Sequence, residues 1–121
     1  MKILFVDDAP DIRALLTDFL PMCGHTVVTA EDGQQGWDIF SAEADSVDVV
    51  ITDVSMPVMN GVQLLRLIRE KGFKVPVILV SGLDDHDVET KAAEYEIAAV
   101  VSKPFDLSEM RALLENLAPD H

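Results

Sequence analysis

Hydrophobic positions in this chain follow two rhythms. Residues 3–6, 47–54, 75–80 and 98–101 form short apolar runs, rich in Val and Ile and nearly continuous. Such runs fit strands covered on both faces, as in a parallel sheet; an alternating pattern would fit a strand with one wet face. Thr26–Ala30 is a weaker fifth strand candidate with the character of an edge. Between the runs the spacing becomes helical. Ile12, Leu15, Leu16, Phe19 and Leu20 line one face of a first helix. Gly36, Trp37 and Phe40 mark a second, and Gly61, Leu64, Leu65 and Ile68 a third. Val88, Ala92 and Tyr95 give only a thin stripe for a fourth. Leu107, Met110, Leu114 and Leu117 form the buried side of a fifth. Asp106, with Glu109 three residues later, fits an N-terminal cap for that last helix. Gly24, Gly72 and Pro119 stand where helices are expected to stop.

The pattern is therefore β–α repeated five times with short connections. Strands alternating with helices predict a doubly wound α/β fold: a parallel sheet, right-handed crossovers and helices on both faces. The 121 residues make one domain, 1–121, with no linker and no sequence repeat.

Composition narrows the functional classes. Apolar residues make up 49% and charged residues 26%, which fits a globular chain with a real core. Nine Lys and Arg against 22 Asp and Glu give a formal net charge of −13. That balance argues against contacts with nucleic acid or an anionic membrane, both of which need basic patches. A single cysteine, Cys23, precludes an internal disulfide. No apolar run approaches the roughly 18 to 20 residues of a membrane span, and Asp7 and Asp8 interrupt the first run too early for a signal peptide. The expected location is the cytoplasm.

The chemistry lies at the carboxyl ends of the strands. Asp7 and Asp8 end the first, Asp53 the third, Ser81 the fourth and Lys103 the fifth. Spaced by whole β–α units, these side chains are expected at one carboxyl edge of the sheet, where ligands of open α/β sheets bind. Three carboxylates brought together repel; one pair at 4 Å costs about 4 kcal/mol at an effective dielectric of 20. A hard divalent cation with oxygen ligands relieves that repulsion, and Mg²⁺ suits one or two carboxylates with waters and phosphate oxygens. With a Ser81 hydroxyl and a Lys103 ammonium added, the set has the parts needed to form an aspartyl phosphate.

Four blocks carry a closer likeness: Phe5-Val-Asp-Asp8, Asp53-Val-Ser-Met-Pro-Val-Met-Asn-Gly61, Val80-Ser-Gly82 and Ser102-Lys-Pro-Phe105. In order and spacing they resemble the receiver domain of two-component response regulators, over essentially the whole chain. The resemblance implies a flavodoxin-like (βα)5 fold with strand order 2-1-3-4-5 and five helices. It implies Asp53 as phosphoacceptor, and Asp7, Asp8, Asp53 and the backbone carbonyl of Ser55 as Mg²⁺ ligands. Ser81 and Lys103 would contact the phosphoryl group and take part in the switch. Pro57, Gly61 and Pro104 would shape the loops, the peptide before Pro104 often being cis in this family. The implied donor is a sensor histidine kinase or a histidine phosphotransfer protein. The implied output is a downstream effector protein or an output domain outside this chain. Such a domain is a substrate and switch more than a turnover enzyme. One departure stands out: three residues before the lysine the family usually carries Tyr or Phe, and here Val100 takes that place.

Other readings of the same residues remain. Taken alone, Asp7 and Asp8 also suit the cap of the first helix, and Asp53 and Ser81 suit strand-end turns. Neither a P-loop nor a dinucleotide-binding glycine pattern occurs. The acidic loop after the first strand would repel a flavin phosphate. A binding domain that keeps the fold without phosphorylation is a further alternative, to which Val100 lends some weight.

Overall fold

The computed structural model describes residues 1–82 and 95–117. Five parallel strands make one sheet: β1 (Lys2–Val6), β2 (Thr26–Ala30), β3 (Val49–Asp53), β4 (Val77–Ser81) and β5 (Ala99–Ser102), in the order β2-β1-β3-β4-β5. Four helices lie among the described residues: α1 (Pro10–Met22), α2 (Gly33–Glu43), α3 (Gly61–Glu70) and α4 (Leu107–Leu117). The helix expected through Val88, Ala92 and Tyr95 falls, except for Tyr95, outside the described residues, as does Pro119. The sheet order is the expected one, and Thr26–Ala30 is an edge strand. No helix among the described residues is long and apolar enough to cross a membrane.

Alternate residues of each strand point to opposite faces, and the core divides accordingly. On one face Leu4, Val6, Val50, Val77 and Leu79 pack with Phe40 of α2 and with Leu64, Leu65 and Ile68 of α3. On the other, Ile3, Phe5, Ile51, Ile78, Val80 and Val101 pack with Leu16 and Leu20 of α1 and with Met110 and Leu114 of α4. Strands β3 and β4 are buried along their whole length, which is why their sequences run apolar without alternation.

Strand limits depend on backbone chemistry more than on hydropathy. Val47, apolar and buried, still belongs to the turn leaving α2, its N–H donating to the Glu43 carbonyl. Pro76 has no N–H to offer the sheet, and β4 begins one residue after it, although the Pro76 carbonyl accepts from Val50. Gly24 and Gly72 come after α1 and α3 with φ of 89° each, a conformation that L side chains avoid. Asp106 caps α4, its carboxylate accepting from the Ser108 N–H at 2.8 Å. Pro10 opens α1 at a position where a missing N–H is harmless. The net result is a rigid sheet whose five carboxyl ends face one way, with loops free to carry polar residues there.

Candidate functional site

At that edge Asp7 and Asp8 directly follow β1, and β3, beside it, ends in Asp53. Asp7 is fully buried, Asp53 is 4% exposed and Asp8 is exposed. One carboxylate oxygen from each of the three lies within 4.8 Å of the others. Lys103, directly after β5, reaches across β4 to place Nζ 3.0 Å from Asp53 Oδ2 and 3.5 Å from Asp7 Oδ2. The pairing register explains the convergence: Val80 of β4 lies opposite Asp53, and Ser81 lies opposite Ser102. Ser81 is buried at the last position of β4, and its carbonyl accepts from the Lys103 N–H at 2.7 Å. The Lys103–Pro104 peptide is cis.

The capping alternative does not describe the acidic pair. The cap residue of α1 is Ala9, which has no side-chain cap bond. Asp7 instead uses Oδ1 to accept the Ala9 N–H at 2.9 Å. Its other oxygen, Oδ2, is buried without a hydrogen-bond partner. The Lys103 ammonium at 3.5 Å is its ion-pair partner, and a buried carboxylate oxygen without a hydrogen bond still gains from a closer cation.

The electrostatics are those of crowded anions. Burial pushes the Asp53 carboxyl up from its ordinary value. The Lys103 hydrogen bond pulls it down without cancelling the rise, and the charges of Asp7 and Asp8 add to the upward push. Burial alone would lower the Lys103 ammonium, but the hydrogen bond and charge of Asp53, with the charge of Asp7, hold it above the usual lysine value. The donor set is all hard oxygen, one of them buried without a hydrogen bond, and it fits a hard divalent cation such as Mg²⁺.

The loop after β3 is folded against the site by a glycine. The Gly61 N–H donates to the Val54 carbonyl at 2.9 Å, and a Cβ built on Gly61 would come within 2.3 Å of the Asp53 carbonyl oxygen. Gly61 therefore permits the return of the chain beneath the end of β3 and the start of α3. Ser55 and Pro57 lie in the same loop, both exposed. Val100 lies apart from the carboxylates, half-buried opposite Leu79 and packed with the core on the α2–α3 face.

A family model described as the response regulator receiver domain matches residues 3–115. The chain belongs to that family. A probable transcriptional regulator ycf27 of Guillardia theta is 38% identical over 111 residues, covering 92% of this receiver domain and 42% of the relative. A chemotaxis protein CheY homolog of Campylobacter jejuni is 33% identical over 120 residues, covering 97% and 92%. The response regulator protein TrrA of Thermotoga maritima, solved in complex with Mg²⁺-BeF, superposes with a TM-score of 0.85 at 29% identity, over 97% of this chain and 98% of that one. The receiver domain thus spans less than half of the first relative and only 12% of a sensor histidine kinase relative. Receiver domains are phosphoacceptor switches of two-component systems and in general not enzymes.

Two contacts at this edge have no counterpart among the sequence motifs. Arg13 donates from Nη1 to the Asp7 carbonyl at 2.7 Å. Gly33, at the start of α2, donates its N–H to the Met59 carbonyl at 3.1 Å. Bonds to backbone carbonyls leave no motif behind. For Arg13 one signal exists: a cation near a helix N-terminus opposes the macrodipole and implies a partner elsewhere.

Proposed function

We propose that this domain accepts a phosphoryl group on Asp53 from a phosphohistidine of a sensor kinase or phosphotransfer protein, and that phosphorylation switches its affinity for an effector or output domain. An Asp53 carboxylate oxygen attacks phosphorus, the P–N bond breaks, and its electron pair returns to the imidazole nitrogen. A Mg²⁺ ion, held by Asp7, Asp8, Asp53 and the Ser55 carbonyl, would neutralise charge on the phosphoryl oxygens. Lys103 supplies a second positive charge at the same oxygens, and the Ser81 hydroxyl donates a hydrogen bond to one of them. Pro57, Gly61 and Pro104 shape the loops that carry these groups. Because the attacking form of Asp53 is the carboxylate, cation and lysine also favour the reactive state of a group that burial pushes toward protonation.

The observation that carries this reading is the meeting of Lys103 with Asp53 and Asp7 at the edge where three carboxylates converge. The likeness to a neighbour solved with Mg²⁺-BeF supports the choice of cation. The test is intact-mass spectrometry after incubation with acetyl phosphate, with and without Mg²⁺, on the wild type and Asp53→Asn. A metal-dependent gain of one phosphoryl group, lost in the variant, is expected. Labelling retained in Asp53→Asn would overturn the choice of nucleophile. No gain with acetyl phosphate or with a phosphorylated donor histidine would favour a phosphorylation-independent binding domain.

A further inference from the structure

Arg13 is the fourth residue of α1, and its guanidinium is committed in two directions. Nη1 donates to the main-chain carbonyl of Asp7 at 2.7 Å, and Nη2 lies 3.7 Å from Glu31 Oε1, in the connection from β2 to α2. The side chain is only 18% exposed, whereas that of Glu31 is 64% exposed. The short contact is therefore the one to the carbonyl, made in a sheltered place, and the ion pair is a loose, solvent-screened one.

That carbonyl belongs to the first residue after β1. The Asp7 N–H is held by the Ala30 carbonyl at 3.1 Å, and Asp7 Oδ1 by the Ala9 N–H at 2.9 Å. Arg13 fixes the main-chain carbonyl of the same residue, so the peptide joining Asp7 to Asp8 is held from α1. Both carboxylates hang from that peptide. A rotation of it would move Asp8, which has no burial of its own to hold it, away from Asp7 and Asp53.

We infer that Arg13 is a positioning residue for the acidic cluster, holding the Asp7–Asp8 peptide so that the three carboxylates converge on a divalent cation. This role rests on the reading of Asp7, Asp8 and Asp53 as cation ligands. Electrostatics alone would give the opposite sign. A positive charge beside a cation site lowers its affinity, so deleting Arg13 should tighten Mg²⁺ binding if charge were its whole effect. If Arg13 acts by position, deletion weakens binding, because partners that orient ligands typically control affinity by about 10- to 100-fold.

The experiment is calorimetric titration of the whole chain with MgCl₂ at fixed ionic strength, on the wild type, Arg13→Met, Arg13→Lys and Glu31→Gln. Methionine keeps most of the apolar stem and removes every donor; lysine restores a single donor and the charge. The expected result is an affinity loss of about tenfold in Arg13→Met, substantial recovery in Arg13→Lys and little change in Glu31→Gln. Equal or tighter binding by folded Arg13→Met would overturn the inference. So would a loss that Arg13→Lys does not recover at all while urea midpoints stay equal. Should Arg13→Met fail to fold, Arg13→Lys decides alone: its ammonium in place of the guanidinium fork must leave affinity between that of the wild type and that of Asp8→Asn. A wild-type chain that binds no Mg²⁺ would instead remove the underlying cation reading, and is recognisable as such before any variant is compared.

Discussion

Asp53 sits where burial and two neighbouring carboxylates oppose its ionisation and one ammonium supports it, and the balance leaves its pKa raised. An acid whose folded pKa exceeds its unfolded one stabilises the fold while protonated. That contribution is complete below the unfolded pKa and is lost as pH rises through the folded value. At neutral pH the ionised Asp53 therefore works against folding, with the Lys103 contact already included in the balance. In metal-free buffer Asp53→Asn is expected to melt a few degrees above the wild type at pH 7. The gap should close as pH falls below the ordinary carboxylate value near 4. Thermal melts across that range check it, and a variant that melts lower at pH 7 would contradict the account. Lys103 has the opposite assignment: Lys103→Ala should leave Mg²⁺ binding largely intact and impair the response to phosphorylation, read by partner binding or spectroscopy. Unchanged activation in that variant would count against its role. At this scale the acidic residues, Ser81 and Lys103 were legible because each stands at the end of an apolar run or within two residues of it, so strand ends could be counted. Gly33 was not, since a bond to a carbonyl near in space but remote in sequence has no residue-type signature, and Arg13 had only its place near a helix N-terminus to mark it.

At the scale of elements, α3 is the part that ties core to site. Its first residue is Gly61, whose missing side chain leaves room for the Asp53 carbonyl. Its cap is Asn60, which accepts the Gln63 N–H while the Gln63 side chain accepts the Asn60 N–H, both at 2.9 Å. Its buried side is Leu64, Leu65 and Ile68. These three features separate by magnitude. Asn60→Ala should cost about 1 kcal/mol, and Leu64→Ala about 2–5 kcal/mol, both read from urea midpoints with labelling still observed. Gly61→Ala should cost about 1–3 kcal/mol by forcing backbone apart, and it should also slow phosphorylation, because the displaced backbone is that of Asp53. A Gly61→Ala chain that labels as fast as an equally destabilised Asn60→Ala chain would refute that coupling. Strand β5 makes a different case. Val100 packs on the α2–α3 face, away from the carboxylates, so Val100→Tyr should alter partner affinity more than the rate of labelling. Hydropathy placed these elements correctly because nearly continuous runs and helical stripes reflect burial on two faces or on one. It missed their limits at Val47 and Pro76, where hydrogen bonding and not burial decides where a strand starts.

For the whole molecule, two kinds of charge effect act together and can be told apart. The formal net charge of −13 makes the folded chain repel itself, and any added salt screens that repulsion. The three carboxylates at the sheet edge are a local part of the same excess, and among the described residues only there do three acidic side chains converge within 4.8 Å. Screening depends on ionic strength and treats Na⁺ and Mg²⁺ salts alike once that is matched, apart from the general preference of an acidic surface for divalent ions. A bound cation instead stabilises by mass action, by about 2.7 kcal/mol when its concentration reaches 100 times its Kd. Melting the chain in MgCl₂ and in NaCl of equal ionic strength should therefore show an excess stabilisation by Mg²⁺ that saturates. The same pair of melts on Asp8→Asn separates the two sources. Asp8 is the exposed member of the cluster, and its loss removes one charge from the total but one of the three converging carboxylates from the sheet edge. The general effect should hardly change, whereas the saturating excess should shift to much higher Mg²⁺. An excess that persists unchanged in Asp8→Asn would mean that the divalent ion acts on the acidic surface at large and that the strand-end carboxylates do not form its site.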